Sequence, residues 1–140
     1  METLSWKVRI AFLWVFMPVA DLVHSLLVAW TPGGLEKMVS RVEAGGSGWL
    51  LFEALFSLIP LWLAFMTLII KDSINRWLNV SFGVVFTILN IFHFFQCGVP
   101  LLQGGPVTQI TAHHVLLVGS TVIAAVMIAW YAGRGYKQEA

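Results

Sequence analysis

VRIAFLWVFMPVADLVHSLLVAW, residues 8–30, decides the fold, because it is an apolar run of 23 residues with only Arg9, Asp21 and His24 as ionisable side chains. A helix needs about 20 mainly apolar residues to cross ~30 Å of hydrocarbon. Three later runs are apolar and about as long: 49–70, 77–96 and 110–131. Hydrocarbon offers the backbone no hydrogen-bond partner, so each run is expected to be a helix. The sequence therefore predicts one all-α domain, residues 1–140, built as a four-transmembrane-helix bundle.

The composition supports a membrane protein and excludes several function classes. The chain is 59% hydrophobic and 11% charged, whereas soluble domains carry about 25% charged residues. Its net charge of +1, with no basic stripe beyond the flanks of the apolar runs, excludes a nucleic-acid partner. Cys97 is the only cysteine, which excludes an intramolecular disulfide and a C-x-x-C redox pair. The first run is longer than a signal-peptide core and contains Asp21, so it is predicted to be an uncleaved span.

Lysine and arginine residues divide unequally between the two sides of the predicted bundle. Six fall beside the termini and the 71–76 hairpin, and two fall in the loop after the first run. The six are Lys7, Arg9, Lys71, Arg76, Arg134 and Lys137, and the two are Lys37 and Arg41. Because basic flanks stay on the cytoplasmic side, both termini are expected to be cytoplasmic. We therefore expect a multi-pass protein of the cytoplasmic (inner) membrane.

The first outer loop, residues 31–48, carries an amphipathic pattern. Its apolar residues recur at helical spacing, and its charged residues fall on the opposite face. The apolar set is Leu35, Met38, Val39 and Val42, and the charged set is Glu36, Lys37, Arg41 and Glu43. This pattern predicts a short helix lying on the membrane surface. It would act either as an interfacial anchor or as a lid over the bundle.

Six ionisable residues of the apolar runs fall at the same predicted depth, towards the outer end. They are Asp21, His24, Glu53, His93, His113 and His114. A rise of 1.5 Å per residue places all of them within about 14 Å of the outer boundary. Ionisable groups at this depth are costly and mark functional sites by default. Pairing among the six, with access to water, would explain them without any ligand, and Asp21 is the deepest.

Helical spacing indicates which of these side chains face the bundle interior. Asp21 and His24 share a face at i, i+3. Asn79, Asn90 and His93 belong to a stripe of small and polar residues along the third run, which is expected to face the interior. Adjacent His113 and His114 point about 100° apart, so one of them is expected inside, with His113 favoured.

Two prolines interrupt the first two runs. Pro18 and Pro60 each remove a backbone hydrogen bond and favour a bend. These bends are expected either to be ordinary kinks or to open a cavity near mid-membrane, below the six ionisable residues.

Three functions compete for this cluster, and whether the protein is an enzyme stays open. The first is a pocket for a lipid-like or quinone-like ligand, with acid/base chemistry on Asp21, Glu53 and His93. Its ligand-binding residues would be His24, Asn90, His113, His114, Trp30 and Trp49. The second is a transition-metal site or a haem b site. Its candidate metal ligands are Asp21, His24, Glu53, His93 and His113. The third is a non-catalytic accessory subunit or a small transporter.

The expected partners are the lipid bilayer and either further copies of this chain or a larger membrane complex. Thr121, Ala125 and Ala129 form a stripe of small residues in the last run, and such stripes permit close helix approach. The stripe therefore predicts a homo-oligomer contact.

The chain also resembles small bacterial four-helix membrane proteins in the DoxX-like neighbourhood. The residues that carry the resemblance are KVRIAFLW at 7–14, Asp21, Ile59-Pro60, Asn75-Arg76-Trp77, Asn79, Gly83, His113 and Trp130-Tyr131. The resemblance implies a four-helix integral membrane fold and no particular reaction. His24, His93 and His114 lie outside that pattern, so the full histidine cluster is expected to be peculiar to this chain.

Overall fold

The computed structural model describes residues 6–102 and 109–135, with side chains for residues 6–95 and 113–134. The described residues form four helices, α1 (Trp6–Ala29), α2 (Gly34–Ile69), α3 (Asp72–Leu102) and α4 (Gln109–Gly135). All four are long and apolar enough to cross a membrane. The predicted all-helical, four-span architecture is confirmed, and the helices continue past the apolar runs into their polar flanks. The side chain of Cys97 lies outside the described part.

Packing places α1 between α2 and α4, and α4 between α1 and α3, while α2 and α3 touch only sparsely. Helices α3 and α4 are antiparallel, because Thr121 bonds to Asn90 while Ala129, further along α4, approaches Gly83, which comes earlier in α3. Lys7, at the start of α1, donates a 3.1 Å hydrogen bond to the Ile70 carbonyl and lies 2.5 Å from the Asp72 carboxylate. The end of the bundle that contains the α2–α3 turn is called the hairpin end. The opposite end, which carries all four histidines, is called the histidine end.

Trp14 occupies the centre of the core, where α1 meets α2, α3 and α4. Its side chain is fully buried, and its ring meets Phe86 edge-on with centroids 5.4 Å apart. Large apolar side chains cover the outside of the bundle instead of polar ones. They include Phe12, Trp62, Phe65, Trp77, Phe92, Leu116 and Ile123. A surface this apolar suits lipid as the surrounding solvent.

A buried hydrogen-bond network joins three helices near the hairpin end. The indole Nε1 of Trp14 donates to Asn79 Oδ1 at 2.6 Å, and the Thr67 hydroxyl donates to the same oxygen at 3.0 Å. Asn79 Nδ2 donates to Asn75 Oδ1 at 2.6 Å, and Asn75 Nδ2 donates to the Thr67 carbonyl at 2.7 Å. All four side chains are fully buried. Water is scarce at this depth, so each satisfied bond helps to fix how α1, α2 and α3 meet.

The small-residue stripe of α4 packs inside the chain. A Cβ built on Gly83 of α3 would lie 3.0–3.2 Å from the backbone and Cβ of Ala129, so α3 and α4 are closest here. Thr121 and Ala125 are also buried. The stripe is therefore used for contacts within the chain, and a homo-oligomer stays a prediction.

Helix α2 is bent sharply at Gly46, which has φ 57° and ψ −150°. This backbone conformation favours glycine, because glycine has no Cβ that would clash with the backbone. The bend separates a first segment, residues 34–45, from a second of 23 residues, 47–69, which is about 35 Å long and matches a bilayer. The first segment is called the arm. It is helical where the sequence predicted a short amphipathic helix, and Gly33, with φ 73°, precedes it.

Candidate metal centre

The four histidines of the chain come together at the histidine end. The ring of His24 lies 3.9 Å from that of His114, 5.8 Å from that of His93 and 6.0 Å from that of His113, measured between centroids. The rings of His113 and His114 are 4.9 Å apart. His24 is 6% exposed, and the other three are half-buried. His24 is thus the histidine that contacts all the others.

Three of these imidazoles have the spacing of metal ligands. One ring nitrogen each from His24, His113 and His114 fall within 4.8 Å of one another. Nitrogen ligands about 2.0–2.1 Å from a tetrahedral zinc ion lie about 3.3 Å apart. Small side-chain rotations would bring the three nitrogens onto a common ion, and a fourth coordination position would remain.

The helices explain why these three residues meet. His24 lies near the end of α1, and the two adjacent histidines lie near the start of α4, which runs antiparallel to α1. Their 100° separation places His113 and His114 on either side of the line of contact with α1. The expectation that only one of them, His113, would face the bundle is wrong, because both rings lie near His24 and His114 is closer. The adjacent pair itself was the signal that the sequence offered for His114 as a metal ligand.

Asp21 lies one turn before His24, between two small cavities. The first, about 220 Å³ including its opening, is lined by Pro18, Pro60 and Asp21 among others. It lies beside the two prolines, where one of the two sequence-based alternatives expected a cavity. The second, about 180 Å³, is lined by Asp21, His24 and His93 among others. Asp21 therefore contributes to the walls of both cavities, on the side of His24 that leads towards the core.

Asn90 and Thr121 also line both cavities, and they bond to one another. The Thr121 hydroxyl donates to Asn90 Oδ1 at 2.7 Å, and Asn90 Nδ2 donates to the Phe86 carbonyl at 2.8 Å. Asn90 was predicted to face a ligand. Its carbonyl oxygen instead accepts from Thr121, and the bond ties α3 to α4 directly below the histidines.

The other predicted site residues lie further from the histidines' centre. Glu53 is exposed on α2, although it interacts electrostatically with Asp21 and His93. Trp30 is 80% exposed, and Trp49 is half-buried against Phe52 with ring centroids 5.8 Å apart. Neither tryptophan lines either of the two cavities described here.

Arg41 of the arm belongs to the electrostatic surroundings of the site. Its guanidinium acts on His24, Glu53 and His93. The arm is therefore close enough to the histidine end for a positive charge to bear on the imidazoles. The polar face of the predicted amphipathic helix contained this residue, but no sequence signal indicated that it would approach the site.

The arrangement can bind a cation that prefers nitrogen ligands. Neutral imidazole is a good ligand for zinc, copper, nickel and iron, whereas magnesium and calcium prefer oxygen. Three histidines with one open position resemble the donor set of catalytic zinc sites, where water takes the fourth place.

Comparison of the chain with protein-family models, with curated proteins and with solved structures found no match to any of them. The resemblance to DoxX-like proteins therefore stays a prediction.

Proposed function

We propose that this protein binds a divalent transition-metal ion in the membrane, through the imidazoles of His24, His113 and His114. The observation that carries the proposal is the convergence of three ring nitrogens within 4.8 Å. His93, with its ring 5.8 Å from that of His24, supplies the fourth imidazole of the cluster. Zinc and copper are the ions that best match an all-imidazole set.

The size of the two cavities favours an ion over the larger ligands considered from the sequence. Pockets for organic ligands usually measure about 300–1,000 Å³. The two cavities, of which the second is lined by His24 and His93, each offer only about 10 Å³ of space to the centre of a water-sized sphere. Within the described side chains, such spaces suit water or a small ion better than a haem, a quinone or a lipid chain.

The position of the site relative to the membrane forms part of the proposal. The basic residues predicted to be cytoplasmic flank the hairpin end, where Arg134 also stacks 3.8 Å above the Trp130 ring. Positive flanks favour the cytoplasmic side, whereas interfacial tryptophans occur on both sides of the membrane. The histidine end would then face the outside of the cytoplasmic membrane and take its ion from there.

The arm would lie on the outer membrane surface, across the entrance to the site. Leu35 and Val39 of the arm are exposed in the chain, as a membrane-facing surface requires. Arg41 lies within the range over which its charge affects His24. Its positive charge would oppose an incoming cation, so the arm would lower affinity while it stays in place.

Metal binding by the purified protein tests the proposed function. The chain would be prepared without a polyhistidine tag, incubated with Zn²⁺, Cu²⁺ or Mg²⁺, desalted and analysed for bound metal. We expect about one zinc or copper ion per chain and no retained magnesium. Retention of no transition metal, or equal retention of magnesium, would contradict the proposal.

Replacement of Arg41 by glutamine tests the role of the arm. Removal of a positive charge close to the site should raise zinc affinity by about fivefold, a modest coupling between two sites. Competition with a chromophoric zinc chelator measures this change, and Lys37→Gln serves as the control because it removes a positive charge from the same arm. An affinity for Arg41→Gln equal to that of Lys37→Gln would show that the arm does not act on the site.

A further inference from the structure

The buried ring of His24 has a nitrogen without a hydrogen-bond partner among the described residues. This atom, Nδ1, is itself buried. The residue itself is only 6% exposed, so bulk water does not reach this atom freely. A buried polar atom without a partner destabilises the fold, so a partner for it is expected at this site.

We infer that Asp21 is the positioning residue of the metal site: an ordered water in the cavity between Asp21 and His24 accepts the Nδ1–H of His24 and donates to the Asp21 carboxylate. This inference rests on the proposed function for its metal-binding consequence, but not for the hydrogen bond itself. It assigns Nε2 of His24 to the metal. Asp21 therefore acts through His24 and does not itself contact the ion.

The composition of the cavity carries the assignment. Asp21 and His24 line it together, one helical turn apart on the same face of α1. It offers about 10 Å³ of space to the centre of a water-sized sphere, which is room for a single water molecule. A bridging water gives each polar group a partner without a direct contact between the two side chains.

The other polar side chains that line this cavity already interact with other groups. Asn90 Oδ1 accepts the Thr121 hydroxyl, and that hydroxyl also lies 2.8 Å from the Val118 carbonyl. His93 interacts electrostatically with Glu53 on the α2 side. Asp21 thus supplies the carboxylate that faces the same cavity as His24, and it has two oxygens to accept with.

The chemistry of metal-binding histidines explains why such a bond matters. A neutral imidazole has one N–H, so a bond that holds the proton on Nδ1 leaves the Nε2 lone pair for the metal. Ligating histidines almost always donate their second nitrogen to a carboxylate, carbonyl or water. The bond fixes both the tautomer and the ring orientation. Asp21, the deepest ionisable residue of the cluster, would therefore serve to orient the His24 ring.

The hydrogen bond is tested first in the protein without metal. Chemical shifts from ¹⁵N NMR of histidine-labelled protein distinguish imidazoles protonated on Nδ1 from those protonated on Nε2, with His24→Gln used to assign the signal. We expect the Nδ1–H form of His24 in the wild type and in Asp21→Glu, and its loss in Asp21→Asn. A wild-type His24 protonated on Nε2, or an unchanged signal in Asp21→Asn, would overturn the inference.

Zinc affinity then tests the consequence for the site. Asp21→Asn should bind zinc about 10- to 100-fold more weakly, Asp21→Glu should recover most of this loss, and Glu43→Gln should match the wild type. An Asp21→Asn affinity within threefold of the wild type would overturn the positioning role while leaving the proposed function intact. Failure of the wild type to bind zinc would overturn the proposed function, and the metal-free NMR result would still decide the hydrogen bond.

Discussion

Replacement of His24 by alanine is expected to weaken zinc binding by at least about 100-fold, the largest effect of any single substitution at the site. His24 contacts the other three imidazoles, so its removal takes away one ligand and the surface against which the others are arranged. A structural site commonly uses four ligands, and catalytic sites use three plus water. Loss of one from three leaves two, which hold zinc weakly. Competition with a chromophoric chelator gives the affinity directly.

Two further variants separate ligand loss from a general disturbance of α1. Ser25→Ala changes a neighbouring polar residue outside the cluster and should keep wild-type affinity. His93→Ala removes the imidazole outside the group of three and should cost less than His24→Ala. If His24→Ala binds zinc as tightly as Ser25→Ala, the three-histidine site does not exist as described. If His93→Ala is the most damaging variant, the ion lies elsewhere in the cluster.

Replacement of Asn79 by alanine should produce the second large effect, on stability rather than on binding. The Asn79 side chain accepts bonds from Trp14 and Thr67 and donates to Asn75, all in the interior. Individual side-chain hydrogen bonds in membrane bundles average about 0.6 kcal/mol, and orphaned buried groups add to the loss. The free energy of unfolding should therefore fall by about 2 kcal/mol. Denaturation in mixed micelles with increasing dodecyl sulfate, followed by helix content, measures it.

The matched control is Ser81→Ala, which removes a hydroxyl from an exposed position one half-turn further along α3. It should leave the free energy of unfolding unchanged within about 0.5 kcal/mol. Asn79→Ala should also keep its zinc affinity, because the network lies towards the opposite end of the bundle. Equal stability of the two variants would show that the network does not hold the helices together.

The fold could be predicted from the sequence because the membrane imposes it. An apolar run of this length has no alternative to a helix in hydrocarbon, and four such runs with short connections form a bundle. The bend at Gly46 was indicated only by the Gly45-Gly46 pair. Which helices become neighbours could not be read from the runs, because it depends on close approaches such as that of Gly83 to Ala129.

The sequence predicted the layer of the bundle in which the candidate site lies, but not which side chains meet there. Counting residues from the ends of the runs placed six ionisable groups in one layer, and the four histidines do meet there. The sequence could not show that both adjacent histidines approach His24, since this depends on how α4 is rotated against α1. Nor could it show that Glu53 is exposed, because the sparse contact between α2 and α3 decides that.

The polar network near the hairpin end was the larger omission. Asn79 was recognised as part of an interior stripe, but its partners Trp14 and Thr67 lie on other helices, far away in sequence. Periodicity identifies a buried face and cannot identify what that face meets. Trp14 in particular lies in an apolar run that gave no sign of a polar partner, whereas its indole N–H donates a hydrogen bond to Asn79 of α3.

X-ray absorption at the zinc edge of the tag-free protein loaded with one equivalent of zinc tests the central claim most directly. The account predicts a first shell of nitrogen and oxygen atoms at about 2.0 Å, with the outer-shell scattering of at least three imidazole rings. It also predicts that one ring disappears in His24→Ala. A shell of oxygen ligands without imidazole scattering, or a spectrum unchanged in His24→Ala, would contradict a metal centre built from His24, His113 and His114.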